Sequence, residues 1–139
     1  MDDERIDLSA VRDTIRPMKA SALDLAGRVL VAGFDGREAP ASVLADLAGE
    51  RLAGVILFRR NVGSPEEVMR LNASLIEACL EASPPLIGVD QEGGRVARLG
   101  PPVVKLPPMR RLGEHDDLAL TARAGRVLGA QLAALGFSM

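Results

Sequence analysis

Leu86-Ile-Gly-Val-Asp90-Gln-Glu-Gly-Gly-Arg-Val-Ala-Arg98 is an apolar run that stops at a carboxylate and a glycine pair. Entered through Pro84 and Pro85, a short run of this kind has the pattern of a strand buried on both faces. Gly93-Gly94 lets the chain turn where a side chain would clash. Asp90 then stands at the strand's C-terminal end, the edge at which parallel α/β folds gather binding and catalytic groups.

Upstream, Gly54-Val-Ile-Leu-Phe58 is a second buried strand that runs into Arg59-Arg60-Asn61, and Val29 to Phe34, closed by Asp35-Gly36, is a first. Between them, Pro40 to Leu52 puts Val43, Leu44, Leu47 and Ala48 on one helical face. Ser64-Pro-Glu-Glu67 opens the next helix: a serine cap, a proline suited to the first turn and a glutamate that completes a capping box. Val68, Leu71, Leu75, Ile76 and Cys79 form its apolar stripe. Met1 to Lys19 is charged and weakly patterned, so residues 1–22 are expected to form a tail or loose helix and residues 23–139 the folded unit.

Downstream, Gln91 to about His115 reads as a long loop rich in Pro and Gly, and long loops in compact domains are functional or disordered. A third helix follows from about Asp117 to Leu135, with Ala124, Val127, Leu128, Leu132 and Leu135 facing inward and Gly136 as its stop. Phe137-Ser-Met139 begins another strand.

Composition narrows the class. With 139 residues, 47% of them hydrophobic, the chain can build one modest core. A net charge of -2 offers no basic face, and the absence of Trp and Tyr removes stacking platforms, so nucleic acid is not an expected partner. The lone Cys79 cannot form an internal disulfide, Met1-Asp-Asp-Glu-Arg5 is acidic where a secretory signal is basic, and no run is long enough to span a membrane. The expected location is cytoplasmic.

Alternation of strands and helices implies right-handed βαβ crossovers and a parallel sheet, hence the α/β class. A dinucleotide fold wants Gly-x-Gly-x-x-Gly after its first strand, and Gly33-Phe-Asp-Gly36 does not supply it. A TIM-like (β/α)8 barrel needs roughly 250 residues. Only the first three βα units and the start of a fourth strand are visible, so the chain reads as truncated.

Gly54-Val-Ile-Leu-Phe58 with Arg60-Asn61, then Asp90-Gln-Glu-Gly-Gly-Arg-Val-Ala-Arg98, Leu106-Pro107 and Leu112-Gly113 fall in the order seen in glycoside hydrolase family 3. Over roughly Leu23 to Met139 the chain resembles that family, and within it the bacterial β-N-acetylhexosaminidases of cell-wall recycling. The Asp-Gln-Glu-Gly-Gly-Arg run carries most of this specificity. The resemblance implies a retaining enzyme that releases terminal N-acetylglucosamine from muropeptide fragments without metal or organic cofactor. It also implies that the nucleophile, an aspartate on a later strand, and the acid/base histidine of a later loop lie beyond this chain. Alone, the chain is then expected to be inactive and prone to association.

The same resemblance makes Asp90 and Arg98 substrate-binding groups, and their chemistry agrees. A carboxylate accepts from vicinal hydroxyls, and a guanidinium donates through a planar fork. The bland alternative is a local pair of Asp90 with Arg95 or Arg98 that holds the loop, and Arg95 reads as a loop brace. Asp90 and Glu92 also invite a catalytic pair, since on a strand their α-carbons would lie about 6.6 Å apart. Neighbours on one strand approach from the same side, however, whereas catalytic carboxyls flank the scissile bond. Asn61, beside the solvated Arg59 and Arg60, is a possible supporting residue, as are Glu92 and Arg95. His115 reads as a helix flank and Cys79 as an apolar filler. Two alternatives stay open: a non-catalytic sugar-binding module completed by a partner, and a β-glucosidase of the same family.

Overall fold

The apolar runs pair as parallel strands β1 (Val31–Ala32), β2 (Gly54–Leu57) and β3 (Leu86–Val89), in that order across one sheet. The structure is a computed structural model that describes residues 21–79 and 83–139. The tail or loose helix expected over Met1 to Lys19 lies outside the described residues. Val55 stands opposite Ile87, and Val31 opposite Gly54. The expected α/β class with a parallel sheet is therefore what forms.

Helix α1 (Ala22–Gly27) precedes β1, α2 (Ala41–Ala48) links β1 to β2, and α3 (Pro65–Glu77) links β2 to β3. The start of α3 follows from its sequence. Glu67 N–H donates to the Ser64 hydroxyl at 3.3 Å, while the Ser64 amide donates to the Glu67 carboxylate at 2.7 Å. Two amides that the helix cannot satisfy itself are thereby answered.

Leu47 of α2, Val68, Leu71 and Leu75 of α3, and Phe34, Val55, Leu57 and Ile87 from the sheet close into one core, joined by Cys79, Leu135 and Phe137. Each such aliphatic side chain contributes about 1.5–3 kcal/mol by leaving water. Asn72, also buried on α3, donates to the Leu135 carbonyl at 2.8 Å and so ties α3 to the far end of the chain. The inner stripe of α3 thus runs through Asn72, while Ile76 is exposed.

Val31 and Leu86, opposite Gly54 from its two sides, alternate with the core-facing Val55 and Ile87 and are exposed. Val29 and Leu30, expected inside the first strand, precede it and are exposed as well. Beyond β3, Ser138 N–H and Met139 N–H donate to the Ile87 carbonyl at 2.9 and 3.1 Å, and Val89 N–H donates to the Met139 carbonyl at 3.2 Å. Phe137 to Met139 therefore runs beside β3, where a fourth strand was expected.

The stretch read as one long loop holds regular structure. β4 (Gln91–Gly93) and β5 (Val96–Ala97) pair antiparallel with an irregularity between Gln91 and Gly93. A short helix, α4 (Met109–His115), follows. Helix α5 (Leu118–Ala134) is capped by Asp117, whose carboxylate accepts from Leu120 N–H at 2.9 Å. Leu128 and Leu132 of α5 lean on the core, but Val127, expected to face inward, is exposed.

Candidate functional site

Asp90 is the first residue past β3, and alternation along the strand puts it on the face of Leu86 and Gly88. Its carboxylate lies 3.4 Å from the Arg98 guanidinium, with the two side chains 39% and 26% exposed. That separation is long for a charge-assisted hydrogen bond. The pair attracts without locking, which leaves acceptor sites on one partner and donors on the other for a third group. Arg98 Nε is buried and has no hydrogen-bond partner among the described residues.

What brings Arg98 back to Asp90 is the neighbouring Gln91. Its side-chain oxygen accepts from Arg98 N–H at 2.8 Å and Leu99 N–H at 3.0 Å, and its side-chain nitrogen donates to the Leu99 carbonyl at 3.2 Å. Buried, this amide replaces ladder hydrogen bonds that the short hairpin cannot make. From β2's end, Arg59 donates to the Arg98 carbonyl at 2.9 Å. Nothing in the residue pattern singles out Gln91 beyond its type. A neutral amide between Asp90 and Glu92 was the available signal.

Gly93 and Gly94, both at positive φ, place the hairpin hard against the next segment. Gly94 N–H donates to the Leu106 carbonyl at 2.9 Å, and a β-carbon on Gly93 would stand 2.5 Å from the Pro107 oxygen. The Leu106-Pro107 pair in the sequence pattern is thus the floor under the glycine turn.

Other expected residues sit differently. Glu92 and Arg95 are exposed on the hairpin and pair with no described residue. The brace assigned to Arg95 is supplied by Gln91 instead. β3 ends before Asp90 and β4 begins after it, so Asp90 and Glu92 do not share one continuous strand. Asn61 is 1% exposed. It donates to the carbonyls of Phe34 at 3.0 Å and Gly36 at 2.6 Å and accepts from Phe58 N–H at 2.9 Å. Its polar atoms hold backbone together and are not turned to a ligand. Arg60, paired with Asp35 at 2.6 Å and stacked on Phe58 at 4.9 Å, clasps the same two strand ends. His115 ends α4 in solvent, and burial pushes the Cys79 thiol pKa up.

Asp90 and Arg98 thus gather at the carboxyl edge of a parallel α/β sheet, the edge at which folds of this class bind small polar ligands. The chain belongs to glycosyl hydrolase family 3: the model of that family's N-terminal domain matches residues 18–139. A beta-hexosaminidase of Nitrosomonas eutropha is 47% identical over 91 residues, covering 61% of this chain and 26% of that protein. One of Chromobacterium violaceum is 41% identical over 115 residues, covering 78% and 31%. The chain therefore spans between a quarter and a third of these relatives.

Among solved structures, a glycoside hydrolase family 3 beta-N-acetylglucosaminidase from Paenibacillus sp. str. FPU-7 matches with a TM-score of 0.77 and 36% identity, over 86% of this chain and 23% of that one. NagZ from Neisseria gonorrhoeae, solved in complex with N-trifluoroacetyl-D-glucosamine, matches with a TM-score of 0.65 and 30% identity, over 78% and 33%. No helix among the described residues is long and apolar enough to cross a membrane.

Proposed function

We infer that residues 23–139 supply the first three βα units and the opening of the fourth strand of a (β/α)8 barrel. The complete barrel is a retaining β-N-acetylglucosaminidase that acts in the cytoplasm on cell-wall muropeptide fragments. In this reading Asp90 accepts hydrogen bonds from hydroxyls of the terminal N-acetylglucosamine, and Arg98 donates to its ring substituents. The single observation that carries it is the loose, half-buried Asp90–Arg98 pair at the carboxyl edge of β3. The hexosaminidase names of the relatives favour this specificity over that of a β-glucosidase.

In the same reading the nucleophile and the proton donor lie outside these residues, so the chain binds sugar without cleaving it. The exposed Val31 and Leu86 face the barrel lumen that further strands enclose. The test offers the 139-residue chain 4-nitrophenyl N-acetyl-β-D-glucosaminide and, separately, N-acetylglucosamine. Binding without release of 4-nitrophenol is the expected result. Turnover by the chain alone overturns the assignment of the catalytic groups, and preference for glucose over N-acetylglucosamine overturns the specificity.

A further inference from the structure

Arg98 also borders a separate cleft of about 430 Å³, walled by Arg37, Arg59, the start of α3 at Ser64-Pro65 and the Gly100-Pro101 turn. Among the described residues its wall carries three guanidinium groups and no carboxylate. Two carboxylates reach those arginines from nearby. Glu67 stands 3.5 Å from Arg37, and Asp90 stands 3.4 Å from Arg98. Both pairs are long and partly exposed, the kind worth about 0–1 kcal/mol, so neither occupies its guanidinium firmly. Arg59 has no carboxylate partner among the described residues, and its hydrogen bond goes to the Arg98 carbonyl.

We propose that this cleft is a binding site for a phosphate-type oxyanion, held by Arg59 together with Arg37 and Arg98. A guanidinium fork matches two oxygens of such an anion, and a phosphate has oxygens enough to meet more than one fork at once, which a carboxylate does not. The start of α3 is not the source of the attraction, because its cap already answers the amides of Ser64 and Glu67. Arg98 belongs to the cleft and to the pair with Asp90, so an anion here competes for the guanidinium that faces Asp90. The glycan reading shares Arg98 with this cleft but uses neither Arg37 nor Arg59, so the inference stands or falls on those two arginines and not on that reading.

The experiment titrates inorganic phosphate into the 139-residue chain at low ionic strength by calorimetry, with chloride at matched ionic strength as the blank. Saturable phosphate binding is expected, weakened about tenfold in Arg59→Gln, the loss of roughly one charge-assisted hydrogen bond. Arg37→Gln is expected to weaken it as well, and it carries the test if Arg59→Gln does not fold. Arg110→Gln, on α4 outside the cleft, is expected to bind as the unmodified chain does. No saturable phosphate binding overturns the proposal. So does unchanged affinity in both cleft variants, or equal weakening in Arg110→Gln.

Discussion

Gln91 and Leu99 are joined twice: the Leu99 amide donates to the Gln91 side-chain oxygen at 3.0 Å, and the Gln91 side-chain nitrogen donates to the Leu99 carbonyl at 3.2 Å. A side chain here does the work of a neighbouring strand, and the backbone it fixes is the one that presents Arg98. Gln91→Leu keeps much of the volume and removes all three hydrogen bonds. It should lower stability by about 2–4 kcal/mol, since buried backbone groups are left unpaired. Urea unfolding measures this, and a loss below about 0.5 kcal/mol, the scatter of ordinary surface substitutions, contradicts the strap.

Gly93 is held at φ 94°, and a β-carbon there would stand 2.5 Å from the Pro107 oxygen and 2.6 Å from the Leu106 oxygen. Gly93→Ala therefore has to part the hairpin from the segment beneath it, at a cost of about 2–4 kcal/mol from strain and lost contact. Gly100→Ala, with nothing within 4 Å of the new carbon, should leave the unfolding midpoint nearly unchanged. Equal behaviour of the two variants in thermal unfolding would contradict this account of the glycine turn.

Asn61 joins the ends of β1 and β2 by side-chain bonds to Phe34, Gly36 and Phe58. Asn61→Asp preserves shape but turns a carboxylate toward two carbonyl oxygens. It should destabilise the chain at least as much as Asn61→Ala, which itself costs about 2–4 kcal/mol. If Asn61→Asp unfolds at the same denaturant concentration as the unmodified chain, the structural role assigned to Asn61 is wrong.

Cys79 is buried, and burial raises its thiol pKa. The folded chain thus holds the thiol proton more tightly than the unfolded chain does. The stability this contributes is present below the unfolded thiol's pKa, about 8.5, and is lost as pH rises through the folded value. Reaction with a disulfide reagent at pH 8 should run at least about 100-fold slower in buffer than in urea. Comparable rates in the two solvents would place Cys79 at the surface.

Much of this organisation is legible in the residues. The Ser64–Glu67 capping box and the strand that ends before Asp90 rest on local patterns that tertiary packing did not override, although Leu86 leaves one face of that strand exposed. The hairpin was hidden because β5 is only Val96–Ala97, too short to show any alternation. Gln91 was hidden because a polar residue type says nothing of its burial. Val29, Ile76 and Val127 lie in apolar runs or stripes yet are exposed, because patterning identifies an apolar face but not whether anything covers it. The sequence allows Asp90 to pair with Arg95 or Arg98, and nothing in it points to the route through Gln91 by which Arg98 arrives.

The most direct test of the central claim is titration of N-acetylglucosamine into the chain and into Asp90→Ala, followed by amide chemical shifts. The account predicts saturable binding with a Kd of about millimolar order, with shifts centred on residues 90–99 and lost in the variant. No saturable binding by the unmodified chain, or equal binding by Asp90→Ala, would contradict the claim that Asp90 and Arg98 hold the sugar.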